Sequence, residues 1–278
     1  PIEKTPEMMQ SLRRIYDKNL RTENVSRPLL TPTAVNRFMR CQLQFFYNYI
    51  CGLREPNEVD EELIDNRIFG NIFHDASQRI YELLMQRSNR ILAGDIQRLL
   101  DSKIDIELAV DDIFREQLKN ANKNITSPAD YNGLQLINRE VIIRYLRRLL
   151  KIDLRLAPFE ILGLETDVYD DWEIRMGNDT FTTTLGGRID RLDCVNDGEG
   201  EYIRVVDYKT GSRRTGSLPN VEAIFEPANI SKHSDYYLQT FLYSVLVSRN
   251  KQRSLPVSPA LLYIQHAGGE DYDPRLCF

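Results

Sequence analysis

The residues best equipped for chemistry are Asp207 and Lys209, which close the apolar run Tyr202-Ile203-Arg204-Val205-Val206 with Tyr208 between them. Side chains along a strand alternate faces, so Asp207 and Lys209 share one face and Tyr208 takes the other. A carboxylate and an ammonium side by side at a strand end can hold a divalent cation and steady an anion next to it. That is the equipment of metal-assisted phosphodiester hydrolysis. Asp-x-Lys alone is short enough to be a surface ion pair. Its weight comes from Asp190, seventeen residues upstream in Gly186-Gly187-Arg188-Ile189-Asp190, and from the turn Thr210-Gly211-Ser212 that ends the motif. Two carboxylates on adjacent antiparallel strands can converge on one hard cation, and magnesium takes only one or two protein carboxylates beside water and phosphate. The competing reading pairs Asp190 with Arg188 or Arg191 at a strand end.

Other side chains could join this pair. The chain has only three histidines, and His74, in Gly70-Asn71-Ile72-Phe73-His74, sits on a predicted helix. It is either a core or capping histidine or a nitrogen ligand to the same metal, the latter suiting manganese better than magnesium. Glu165 is a third carboxylate or a partner for Lys209, or an ordinary strand residue. Gln239 and Tyr243 stand four apart and share a helix face; spacing alone makes them a polar flank beside the apolar stripe of Leu238, Phe241, Leu242, Val245 and Leu246.

The elements that must position these residues divide the chain. Residues 1–28 read as a lead-in of uncertain order. Thr31 is the expected N-cap of a helix with Pro32 at its first position and Val35, Phe38 and Met39 as its apolar stripe. Phe45, Phe46, Tyr47, Tyr49 and Ile50 continue as a buried aromatic segment. Helical patterns follow over 69–87, 94–119 and 134–155, with residues 120–133 as a loop. After Pro158 the character changes to strands over 159–169, 172–176, 181–192 and 202–209, a helix over 235–249 and a last strand over 256–265. The layout is an α/β fold: residues 29–157 form a helical part, and residues 158–278 form a β-β-β-α-β core.

Composition is that of a soluble globular chain, with 42% hydrophobic and 28% charged residues, and no apolar stretch approaches the roughly 20 residues that a membrane span needs. A cytoplasmic location is the expectation. The net charge of −5 is awkward for a nucleic-acid binder, yet Arg139, Arg144, Arg147, Arg148, Lys151 and Arg155 crowd one helix. That helix and the loop carrying Arg213 and Arg214 are expected to form a positive cleft, against the plainer reading of a solvated helix face. The four cysteines, Cys41, Cys51, Cys194 and Cys277, form no Cys-x-x-Cys pair, which argues against a structural zinc site and fits a reducing setting. The chain opens on Pro rather than Met, and the parent protein is expected to continue past Phe278.

Taken in order, these residues resemble the PD-(D/E)xK nuclease superfamily, and within it the RecB-like and AddB-like nuclease domains, over roughly residues 30–265. The family's Gly-x-x-x-His falls on Gly70 and His74, its Gly-x-Ile-Asp-Arg on Gly187, Ile189, Asp190 and Arg191, its Asp-Tyr-Lys-Thr-Gly on 207–211, and its Gln-x-x-x-Tyr on Gln239 and Tyr243. The resemblance implies a restriction-endonuclease-like core and a metal-dependent deoxyribonuclease, an end-processing exonuclease beside a helicase or helicase-like partner in DNA recombination and repair. It implies Mg²⁺ or Mn²⁺ held by His74, Asp190, Asp207 and the Tyr208 carbonyl, Lys209 acting on water and phosphate, and Gln239 and Tyr243 positioning the strand or the neighbours of Lys209. Arg147, Arg148, Arg213 and Arg214 are the expected DNA contacts. The alternative is a catalytically idle nucleic-acid-binding or scaffolding module of a helicase–nuclease complex, though such a module would tolerate loss of Asp or Lys from the motif. In iron–sulfur members the position of Cys41 holds the first of four ligands. The other three have no counterpart here, so no cluster is expected.

Overall fold

The computed structural model describes residues 5–20, 30–53, 66–119, 127–177, 179–211, 215–250, 254–269 and 272–278. Helices dominate the first half. α1 (Pro6–Tyr16) is capped by Thr5, whose hydroxyl accepts from the Met8 amide, so part of the expected lead-in is ordered helix. α2 (Pro32–Arg40) starts as expected: the Thr31 hydroxyl accepts from the Ala34 amide at 3.2 Å and Pro32 opens the first turn. α3 (Gln42–Phe45) runs into a π-helical turn over Phe46–Ile50. The wider turn spreads the aromatic run around the axis, so that only Phe45 is buried and Tyr47 is exposed, a correction to the buried segment expected.

α4 (Asn66–Met85) buries Ile72, Ala76 and Ile80 beside Phe73, Ser77 and Tyr81, two rows at four-residue spacing. The expected helix over 94–119 is two, α5 (Ala93–Asp101) and α6 (Lys103–Lys119), because Ser102 adopts an extended backbone between them. α7 (Gly133–Leu156) opens with a reciprocal cap between Asn132 and Gln135 and buries Ile142, Ile143, Leu146, Leu149 and Leu150.

Five strands form one mixed sheet in the order β1 (Arg90–Ile91), β2 (Phe159–Met176), β3 (Asp179–Asn196), β4 (Glu201–Lys209) and β5 (Val257–Tyr263). The first four are antiparallel neighbours, and β5 lies parallel to β4. Parallel pairing demands a crossover, and α8 (Ser234–Arg249) lies between those two strands in sequence. Two stretches expected as separate strands, 159–169 and 172–176, are the single strand β2, which turns into β3 at Gly177 with φ of 64°.

The sheet is covered on both faces. On one, Val206, Tyr208, Ala260 and Leu262 pack against α4 and α7 residues such as Phe73, Tyr81 and Leu146. On the other, Val168, Ile189 and Val205 meet Tyr243 and Leu246 of α8. Alternation along β4 therefore sends Tyr208 toward α4 and α7 while Asp207 shares the α8 face with Val205. Among the described residues no helix is long and apolar enough to cross a membrane.

Candidate active site

The site is built where β2 and β3 both break their alternation. In β3, Ile189 packs on the α8 face, yet Arg191, two residues on, stacks on Tyr81 and Tyr208 on the opposite face. In β2, Leu164 packs toward α4 and α7, whereas Val168, an even number of residues away, packs toward α8. The register shifts between Ile161 and Gly163; beyond it Leu164 pairs with Arg191 and Thr166 with Ile189, and Glu165 and Asp190 drop out of the paired series between them. Glu165 there takes a φ of 43°, a left-handed conformation that costs an ordinary residue about 1–2 kcal/mol.

On the other side of Asp190, β3 parts from β4. Their pairing ends at Arg191 and Val206, so the last three residues of β4 are paired with β5 alone. The Tyr208 amide, facing β3 without a backbone partner, donates instead to Asp190 Oδ2 at 2.7 Å. The N–H and C=O of a strand residue point to the same side, so the Tyr208 carbonyl also turns toward this gap. Asp190, inside β3, and Asp207, near the end of β4, thus both lie at a fork in the sheet.

α4 reaches the fork with His74. Its Nδ1 lies 3.4 Å from Asp190 Oδ2 and 4.0 Å from Glu165 Oε1. One donor atom from each of His74, Glu165 and Asp190 falls within 4.8 Å of the others. Asp207 is differently engaged: its Oδ1 accepts from Gln239 Nε2 at 2.9 Å, and its Oδ2 lies 2.5 Å from Lys209 Nζ. Lys209 is therefore paired with Asp207 rather than Glu165. The competing reading of Asp190 also resolves, since Arg188 pairs with Asp167 and Arg191 with Asp153 and Asp193.

Electrostatics fits a site short of positive charge. Burial, then repulsion from Asp190, pushes the Glu165 carboxyl up to about 7. Burial also raises Asp207, against the pull of Lys209. Asp190 lies below its ordinary value because His74 and Lys209, with the Tyr208 amide, outweigh the effect of its burial. Burial alone would lower His74 and Lys209, but the aspartates beside them hold both above their usual values. An imidazole nitrogen with carboxylate oxygens and a backbone carbonyl is a donor set for a hard or borderline divalent cation, Mg²⁺ or, with the imidazole, Mn²⁺.

The motif glycines differ in need. A Cβ on Gly187 would lie 2.4 Å from the Tyr243 hydroxyl oxygen and 3.1 Å from two of its ring carbons, so this glycine is what lets the end of Tyr243 approach β3 so closely. A Cβ on Gly70 would make only ordinary contact, 3.7 Å from Thr210 Oγ1. Gly187→Ala should cost about 1–3 kcal/mol by overpacking, and Tyr243→Phe in the same chain should recover part of it by removing the closest atom. Denaturant unfolding of the single and double variants checks this; equal stability of Gly187→Ala and the parent would refute the contact.

Residues 29–274 match the family model of the PD-(D/E)XK nuclease superfamily. The chain belongs to that superfamily. Among curated relatives, the B subunit of the ATP-dependent helicase/deoxyribonuclease of Alkaliphilus oremlandii is 27% identical over 258 residues, covering 91% of this chain and 20% of the relative. The protein of the same name from Alkaliphilus metalliredigens is 25% identical over 90% of this chain and 20% of its own length. That from Clostridium perfringens is 24% identical over 71% and 16%. The chain thus spans about a fifth of the length of the relatives it matches most fully. The mixed sheet with helices on both faces is the restriction-endonuclease-like α/β fold of the PD-(D/E)XK superfamily.

Of the expected DNA contacts, Arg147 and Arg148 are engaged with backbone carbonyls, and Arg213 and Arg214 lie outside the described residues. Arg147 donates to the Leu100 carbonyl at 2.9 Å, and Arg148 to those of Ile264 and Gln265. Both guanidiniums tie α7 to neighbouring segments. Cys41, Cys51 and Cys277 are exposed and Cys194 is buried in β3. Tyr236, whose ring centroid lies 4.7 Å from Lys209 Nζ, belongs to no motif read from the sequence. Its signal is nonetheless there: it stands three residues before Gln239, on the same face of α8.

Proposed function

We propose that this chain is the nuclease part of a metal-dependent deoxyribonuclease that hydrolyses phosphodiester bonds at DNA ends, working beside a helicase in recombination or repair. The observation that carries the reading is the convergence of His74, Glu165 and Asp190 next to the Asp207–Lys209 pair, at a fork where two strands separate. The relatives, named for helicase and deoxyribonuclease together, support the partner and the substrate.

His74, Glu165, Asp190 and the Tyr208 carbonyl would hold Mg²⁺ or Mn²⁺, with Asp207 at its edge. When bound, the ion supplies a water of lowered pKa and neutralises charge on the phosphate. Lys209, held by Asp207, presents its ammonium to the attacking water and to the charge that develops on phosphorus-bound oxygen. Gln239 fixes Asp207 by donating to Oδ1, which leaves Oδ2 for Lys209. Asp190 accepts the Tyr208 amide and so sets the separation of the two strands.

Digestion of end-labelled linear DNA and of circular DNA with Mg²⁺, Mn²⁺ or EDTA tests the reading. Metal-dependent loss of label from linear DNA with circles intact is the expected result. Cleavage of circles would replace the exonuclease by an endonuclease. Tight binding to DNA without cleavage in either metal would favour the scaffolding module.

A further inference from the structure

We infer that Tyr236 is a positioning residue for Lys209, and that a stack of two rings at the start of α8 fixes where the lysine ammonium stands. The inference rests on the reading of Lys209 as the group that acts on water and phosphate. Lysine is a poor choice for a precisely placed cation, because four rotatable bonds separate its charge from the backbone. Here the ammonium is held from two directions. Asp207 Oδ2 lies 2.5 Å from Nζ, and the Tyr236 ring centroid lies 4.7 Å from it. The carboxylate attracts the charge, and the ring face adds a second attraction through its quadrupole that needs no hydrogen bond. The ring leaves the ammonium's remaining protons free for oxygen ligands.

The ring is itself held. His233 stacks on Tyr236 with centroids 4.8 Å apart and planes 6° from parallel. His233 adopts a left-handed backbone, φ 56° and ψ 45°, immediately before the first residue of α8. That conformation turns its imidazole back over the first turn of the helix. The same turn is anchored to α2: Asn36 donates to the Asp235 carbonyl at 3.1 Å, and Arg40 pairs with the Asp235 carboxylate at 2.6 Å. A chain of contacts therefore runs from α2 through the start of α8 to Lys209. Tyr236, Gln239 and Tyr243 lie at i, i+3 and i+7, so one helix face serves Lys209, Asp207 and β3 in succession.

The test compares Tyr236→Phe with Tyr236→Leu in the purified protein, each against Lys209→Ala. Phe keeps a ring face, and Leu keeps only apolar bulk. Tyr236→Phe should turn over within about two-fold of the parent, while Tyr236→Leu should lose about ten-fold in kcat with KM for DNA and Mn²⁺ binding unchanged. In the Lys209→Ala background, single-turnover rates should be the same with Tyr or Leu at 236. Leu at 236 matching the parent, or Phe and Leu falling alike, would overturn the inference. If Lys209→Ala loses cleavage while Tyr236→Leu keeps it, this inference fails alone. If Lys209→Ala cleaves at the parent rate, the reading of the site fails and takes this inference with it.

Discussion

Lys209→Ala should lower the rate of DNA cleavage by about 10²–10³-fold, the range found when a single charge-stabilising donor is removed from a reacting oxyanion. The substitution should leave the fold and Mn²⁺ binding nearly intact, because the ammonium is held by Asp207 and the Tyr236 ring and offers no lone pair to a cation. Asp207→Ala acts differently. It removes the partner that holds Lys209 and the acceptor of Gln239, so it should lose cleavage and weaken Mn²⁺ binding together. Single-turnover cleavage and calorimetric titration of Mn²⁺ separate the two variants. Cleavage by Lys209→Ala at the parent rate would remove lysine from the chemistry. Undiminished Mn²⁺ affinity in Asp207→Ala would confine metal binding to His74, Glu165, Asp190 and the Tyr208 carbonyl.

The largest effect on stability is expected at Asp153→Ala. Beneath the sheet, on the α7 side, Asp153, Arg191, Asp193 and Arg204 form an ionic cluster in which no side chain is more than 2% exposed. Arg191 grips Asp153 with two nitrogens, at 2.6 and 3.0 Å, and Arg204 reaches both aspartates. Tyr81 donates its hydroxyl to Asp153 as well. Removing Asp153 leaves Arg191 short of a counterion in a site without water access, a loss of about 3–5 kcal/mol. That is a large share of the roughly 5–15 kcal/mol by which a domain is stable.

The same cluster sets a dependence on pH. Burial alone would raise the Asp153 carboxyl, but Arg191 and Arg204 outweigh it and hold the group below 3.8. A depressed folded-state value means that the stabilisation is complete above the unfolded value and is lost as pH falls through the folded one. The parent should therefore weaken on acidification below about pH 4 more steeply than Asp153→Asn, with urea midpoints across pH as the measurement. Parallel curves would show that the carboxylate is not what acid attacks.

Much of this was legible from residue order. The cap at Thr31, the stripe of α7, the helix carrying Gln239 and the strand ending in Asp207 all follow from local periodicity and capping, which need no knowledge of the fold. The motif residues His74, Asp190, Asp207, Lys209 and Gln239 were likewise readable as an ordered series, and they gather at one end of the sheet. What escaped depends on distant partners or on backbone geometry. Glu165 could be named but not placed, because its position comes from a reversal of strand alternation that no spacing announces. Arg147 and Arg148 looked like a basic strip, yet their partners are carbonyls 47 and more residues away. The break at Ser102 and the two-residue strand β1 are similarly too short to leave a periodic trace.

Glu165 sets durability against usefulness. Its main chain holds a conformation natural to glycine, and its carboxyl is crowded by Asp190 and burial. Both costs are borne by the folded state. Glycine at this position would relax the backbone and discharge the repulsion at once. Selection for heat resistance alone, applied to a randomised position 165, should therefore enrich glycine, whereas selection for cleavage should keep the acid. Sequencing the two surviving pools would read the conflict directly. An acid enriched under heat alone would mean that the turn is not under strain. The expected pair of outcomes would mark position 165 as a place where the protein has declined an available gain in robustness.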